Sequence, residues 1–158
     1  SGDFDRQATL ELIRKNYGTW KRGYVAPKFH ALHHPRLCES EAFYRLCAFS
    51  ELIDQPVIIY HVSTAEGVKV IHEARGRGVK VFAETCTQYL TLTVDDLDRP
   101  GIEGAKWICS PPLRLKSDQE ALWQSLERGD LQSAQGGGLL NIDAFQFDEL
   151  GTTLLRDQ

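Results

Sequence analysis

The stretch VIIYHVSTAEGVKVIHEARGRGVKVFAETCTQYL, Val57 to Leu90, decides how this chain folds. Val57–Val62 is an apolar run without polar alternation, the pattern of a parallel strand covered on both faces. Ser63 or Thr64 can cap the helix that follows, Ala65 to Arg77, and Gly78 can stop it. Val79–Ala83 reads as the next strand and runs into Glu84, Thr85 and Cys86. His61 is therefore delivered at the C-terminal end of a strand. In β/α proteins that end of the sheet faces the chemistry, whereas helix faces mostly hold the fold together.

Working outward, Leu10, Ile13, Tyr17 and Trp20 fall at helical spacing and predict a helix over 5–21. Residues 23–35 read as a loop, with Pro27 and Pro35 as breakers around His30, His33 and His34. Leu37–Ile53 reads as a second amphipathic helix with Ala42, Leu46, Phe49 and Ile53 on one face. Downstream, Thr93 caps a short helix through Asp98, Arg99-Pro100-Gly101 turns the chain, and Ala105–Cys109 reads as a short strand stopped by Pro111-Pro112. Ser117 and Glu120 form a capping box for a helix to Arg128, closed by Gly129. Alternating strands and helices argue for an α/β protein with parallel strands. After Gln132 the rhythm calls for a strand, yet Gly136, Gly137 and Gly138 penalise regular structure through backbone entropy. The glycines lack the Lys-Ser/Thr of a phosphate loop. Residues 133–158 are thus expected to be a loosely structured segment, with a weak helical turn at Asp148–Leu155, set apart from a first unit over 1–132.

Composition narrows the class. The chain has 158 residues, 42% apolar and 25% charged, as in ordinary globular proteins. A net charge of −4 gives no footprint for nucleic acid or an anionic membrane. No apolar run is long enough to span a bilayer and no signal peptide is read, so a cytoplasmic location is expected. Cys38, Cys47, Cys86 and Cys109 form no CxxC pair; buried free thiols are expected, with a disulfide or zinc site as alternatives.

Four runs resemble the cyclic amidohydrolases of the dihydropyrimidinase and D-hydantoinase family: APKFHALHHPRLCESEA from Ala26, IIYHVSTAEGVKVI from Ile58, VFAETCTQYL from Val81 and EGAKWICSPPLR from Glu103. They stand in the family's order and spacing, and the resemblance covers about residues 2–132. It implies the later strands of a (β/α)8 barrel, a partial TIM-type barrel here, with a binuclear zinc centre at the strand ends. It also implies hydrolytic opening of a dihydropyrimidine or hydantoin ring, as in pyrimidine catabolism. Two metals sharing a hydroxide supply a nucleophile at neutral pH and polarise the carbonyl. The resemblance further implies a homotetrameric parent.

Residue by residue, the resemblance makes His61 the sixth-strand metal ligand, where the residues alone favour a core histidine whose ring nitrogens are satisfied by backbone. It makes Ser110 a substrate contact whose backbone grips the ring amide, the alternative being a turn cap beside two prolines. Glu84 and Cys86 are expected to be packing and hydrogen-bonding neighbours of the site, His30, His33 and His34 a surface or interface group, and His72 an exposed helix residue. No HxH pair occurs in the chain. The family's lysine-bearing strand and fifth-strand histidine would precede Ser1. Aligning 144–147 with the family's aromatic segment puts Asn141 where a metal-binding aspartate is expected and Asp143 two positions away. An altered splice, a gene-model error or decay would each produce this pattern. The expectation is an amidohydrolase segment inactive on its own, associating through open strand edges. The alternative is a non-catalytic relative comparable to the collapsin response mediator proteins, acting by assembly.

Overall fold

The structure is a computed structural model that describes residues 26–135, 145–147 and 153–155. The helix expected over 5–21, and Asn141 and Asp143, lie outside the described residues. Two βα units generate the framework. Strand β1 (Val57–Ile59) leads to helix α2 (Ala65–Gly76), and β2 (Val81–Cys86) leads to the short α3 (Thr87–Thr91). Helix α1 (Arg36–Ile53) precedes them, and α4 (Lys116–Arg128) feeds β3 (Ser133–Gln135). The three strands are parallel in the order β1-β2-β3, with Val57 opposite Val81 and Glu84 opposite Ser133. Helix α2 contacts both α1 and α4. This sequence of parallel strands and covering helices is that of a partial β/α barrel.

The core forms where the strands meet those helices. Ile59, Val62, Ile71, Leu113, Leu122 and Leu131 are buried to within 1%. Each such aliphatic side chain stabilises the fold by about 1.5–3 kcal/mol. Local signals set the element ends. Thr64 Oγ1 accepts the Gly67 N–H at 3.0 Å and starts α2. Gly78 at φ +88° turns the chain out of that helix, and Gly129 at φ +74° does so after α4. Thr93 caps a 3-10 helix over Val94–Asp98, where its N–H donates to Asp96 Oδ2 at 2.8 Å.

Five expectations are corrected. Ala105–Cys109 is not a strand: Glu103–Trp107 is a 3-10 helix, closed by local bonds from Ala105 N–H to the Ile102 carbonyl and Ile108 N–H to the Ala105 carbonyl. The α4 cap is shifted, since the helix begins at Lys116 and the Leu115 N–H donates to Asp118 Oδ2 at 3.0 Å, leaving Ser117 inside the first turn. The segment expected to be loose from Ser133 pairs with β2 over Ser133–Gln135, ahead of the first glycine. Of the helical turn expected over Asp148–Leu155, the described residues Thr153–Leu155 are instead a strand (β5), paired antiparallel with Phe145–Phe147 (β4). The fifth concerns α1, whose inward face carries Glu39, Phe43, Cys47 and Ser50, while Leu46, Phe49 and Ile53 are exposed.

Candidate active site

A one-residue irregularity in β1 shapes the site. With Val57 opposite Val81 and Ile59 opposite Ala83, an unbroken parallel ladder would direct the residue 61 N–H at the Glu84 carbonyl. The Val62 N–H takes that carbonyl instead, at 2.9 Å. Thr85 Oγ1 donates to the Val62 carbonyl at 2.7 Å and closes the ladder beyond the irregularity. The surplus residue is absorbed by His61, which adopts φ +60°. That left-handed conformation costs about 1 kcal/mol for a side-chain-bearing residue. Such bulges re-aim side chains beside active sites.

The re-aimed imidazole lies at the C-terminal end of β1 with 45% of its side chain exposed. Its Nδ1 lies 3.0 Å from Cys86 Sγ and 3.7 Å from Glu84 Oε1, both on β2. Nε2 makes no hydrogen bond among the described residues. Burial, with the Glu84 charge adding to it, pushes the Cys86 thiol up to about 12, so it stays protonated and is no nucleophile. Burial also raises the Glu84 carboxyl, against the opposing influences of His61 and a hydrogen bond from Ser133. Glu84 Oε1 is buried without a hydrogen-bond partner.

Behind His61 lies a buried network that the sequence reading missed. Glu39 Oε1 accepts the N–H groups of Ser63 and Thr64, each at 2.9 Å, and the Thr64 hydroxyl at 2.9 Å. Its other oxygen accepts the Ser63 hydroxyl and lies 3.7 Å from the Arg114 guanidinium. Arg114 also donates to Ser63 Oγ at 3.2 Å and to the His34 carbonyl at 2.7 Å. A second carboxylate, Asp118, accepts the Ala65 N–H at 2.8 Å and pairs with Arg36, which also pairs with Glu66. The loop after His61 is thus held by side chains from α1, from Arg114 and from α4. The available signal was that Glu39 and Arg114 are charged residues inside the very runs, CESEA and SPPLR, that carry the family resemblance.

Ser110 is exposed, between Cys109 and a cis Pro111. Its loop is fastened on both sides. His30 Nε2–H donates to the Cys109 carbonyl at 2.8 Å, and Tyr89 Oη donates to the Pro111 carbonyl at 2.7 Å. His30 thus serves the Ser110 loop, and burial lowers its pKa. His34 is exposed, its ring 4.6 Å from that of His30. His72 is exposed as expected and reaches Asp130 Oδ1 at 2.9 Å. The Tyr89 tether comes from α3, just after β2, and the His30 tether from the 3-10 turns ahead of α1; no hydrogen bond or ion pair joins Ser110 to His61 among the described residues.

The four cysteines are free, Cys47 and Cys86 buried, Cys109 partly so and Cys38 exposed. Among the described residues no group of three or more His, Cys, Asp or Glu side chains could hold a metal ion. His61, with Nε2 open and Nδ1 steadied from β2, suits a single ligand position, but the described donors do not fit a complete metal centre. No described helix is long and apolar enough to cross a membrane.

No family model matches the chain. Individual relatives do. The chain is 47% identical over 111 residues to a D-hydantoinase of Rhizobium radiobacter, covering 70% of this chain and 24% of the relative. It is 43% identical over 129 residues to a D-hydantoinase of Geobacillus stearothermophilus, covering 82% of this chain and 26% of the relative. The solved dihydropyrimidinase from Brevibacillus agri NCHU1002 superposes with TM-score 0.77 at 38% identity, over 89% of this chain and 30% of that one. The chain belongs to the D-hydantoinase and dihydropyrimidinase family. It spans about a quarter of the length of the curated hydantoinases it matches. A D-hydantoinase from Bacillus sp. AR9 gives the same picture, with TM-score 0.76 at 39% identity over 89% of this chain and 30% of that one. The hydantoinase-like segment therefore contains the two βα units around His61 and the loop around Ser110.

Proposed function

We propose that this chain supplies the later strands of a zinc-dependent cyclic amidohydrolase that opens hydantoin or dihydropyrimidine rings. The observation that carries the proposal is His61, held in a left-handed bulge at a strand end with Nδ1 supported and Nε2 without a hydrogen bond among the described residues. A strained, half-exposed imidazole supported in this way suits a metal ligand better than a core histidine. Ser110, on its doubly tethered loop, presents backbone polar groups to the ring amide. Zinc supplies Lewis-acid polarisation and a nucleophilic hydroxide when bound. Of the metal donors that the resemblance implies, His61 is the one matched among the described residues, and the isolated chain is proposed to be inactive on these rings. The active form is a cytoplasmic homo-oligomer. The assembly-only alternative is disfavoured because a scaffold has no use for a strained imidazole at that position.

The test is zinc content per chain after dialysis, with hydrolysis of dihydrouracil and hydantoin assayed on the same sample. Well below one equivalent and no turnover is the expected result. Close to two equivalents with chelator-sensitive turnover would overturn the claim of inactivity. Loss of all residual zinc in His61→Asn assigns the ligand, and unchanged zinc would remove it.

A further inference from the structure

Core positions at the end of β1 are out of step. Ile59 is 1% exposed and Val62 is 0% exposed, three residues apart, although an even strand returns a side chain to the same face at every second residue. Two consecutive residues between them therefore stand on the open side. Tyr60 is 55% exposed, and the His61 side chain is 45% exposed. Their ring centroids lie 6.1 Å apart with the planes tilted by 56°. On an unbroken strand neighbouring side chains point to opposite faces, which would carry the two rings apart. The bulge that turns His61 outward thus also gives it an aromatic neighbour. Tyr60 belongs neither to the buried core nor to the half-buried residues packed against it, so its ring is not spent on the fold.

We infer that Tyr60 is a binding residue for the flat ring of a cyclic amide, its aromatic face forming one wall of a cleft whose other wall is the His61 imidazole. The inference rests on the cyclic-amide reading above for the class of ligand, and it needs no metal. A hydantoin carries its N–H and C=O groups in the ring plane and offers two flat faces that make no strong hydrogen bonds. Polar backbone such as that of Ser110 suits the edge, and an aromatic ring suits a face, where offset or tilted contact is preferred. Dihydrouracil has two adjacent saturated carbons that pucker its ring, so it meets a flat wall over less of its surface. Tyr60 accordingly favours the planar five-membered ring over the puckered six-membered one.

The experiment is titration of millimolar hydantoin into the chain, followed by NMR of the Tyr60 ring, the His61 ring and the Ser110 amide. Tyr60 and His61 are expected to shift together along one saturating curve. Tyr60→Phe, which keeps the ring, should bind within about twofold of wild type, and Tyr60→Ala about fivefold more weakly. Dihydrouracil should bind wild type more weakly than hydantoin does, and Tyr60→Ala should narrow that difference. Shifts at His61 and Ser110 with Tyr60 unmoved would overturn the inference, a result that needs no variant. So would a folded Tyr60→Ala that binds hydantoin as well as wild type. No shift at any of the three residues would remove the cyclic-amide reading and this inference with it, so the two failures are distinguishable.

Discussion

Glu39 accepts the backbone N–H of Thr64 at 2.9 Å, joining a helix to a loop 25 residues further along the chain. The same carboxylate takes the Ser63 N–H, so two backbone donors that the start of α2 leaves unpaired are satisfied by one side chain from α1. Arg114 beside it neutralises the charge. The positions of His61 and of the chain leading out of Ser110 are therefore set by one buried group.

Glu39→Ala removes that group, strands the N–H donors of Ser63 and Thr64 and leaves the Arg114 charge without its carboxylate. A loss of about 3–5 kcal/mol in unfolding free energy is expected, the cost of breaking a buried pair by deleting one partner. Glu39→Gln keeps an acceptor and loses less. Urea unfolding followed by circular dichroism measures both, and equal losses in the two variants would contradict the assignment.

Gly67 and Gly76 occupy the same helix and respond oppositely to alanine. A Cβ at Gly67 would stand 2.8 Å from Glu39 Oε1 and 2.9 Å from Phe43 Cε2, whereas one at Gly76 meets nothing within 4 Å. Gly67→Ala is expected to lose about 1–3 kcal/mol through overpacking. Gly76→Ala is expected to gain about 0.5 kcal/mol from reduced unfolded-chain entropy. Thermal melts of the two variants side by side distinguish the outcomes.

Acid sensitivity is expected at Asp130. Burial opposes its ionisation, but hydrogen bonds from His72 and Arg128 prevail and hold its pKa below 3.8. A folded value below the unfolded one means stabilisation that is complete above the unfolded pKa and lost as pH falls through the folded value. Melts from about pH 5 downward should show a decline that Asp130→Asn lacks in part. Parallel curves for the two proteins would refute the linkage.

Thiol chemistry should follow exposure. Cys38 is exposed, while burial raises the pKa values of Cys47, Cys86 and Cys109. Under native conditions alkylation at neutral pH should modify Cys38 first, with the other three reacting only after denaturation. Mass spectrometry of the early product identifies the site, and early labelling at Cys86 would contradict its burial.

Much of the fold was legible because its signals are local. Apolar runs mark β1 and β2, Thr64 caps α2, and Gly78 and Gly129 end their helices at positive φ. What was misread depends on partners distant in the chain. The inward face of α1 is chosen by Glu39, whose donors lie at residues 63 and 64, and simple hydrophobic spacing selects the opposite stripe of Leu46, Phe49 and Ile53. Asp118 rather than Ser117 opens α4 because its carboxylate also serves Arg36 and Ala65. The Ala105–Cys109 segment has apolar residues enough for a strand, but Gly104 sits against the Leu97 carbonyl and the turn closes on itself. At the site, His61 was legible as a strand-end residue from the apolar run that contains it. Its bulge was not, since a one-residue surplus is defined only by the register of two strands.

That surplus has a consequence for anyone who would redesign this sheet. The outward aim of His61 comes from a miscount between neighbouring strands, anchored by the Glu84 carbonyl and the Thr85 hydroxyl. Removing a single residue between Ile59 and Val62 would restore even pairing and erase the feature, however faithfully the histidine itself were kept. Transplanting the imidazole elsewhere would likewise require moving its partners on β2 along with it. The unit of inheritance at this position is a pair of strands.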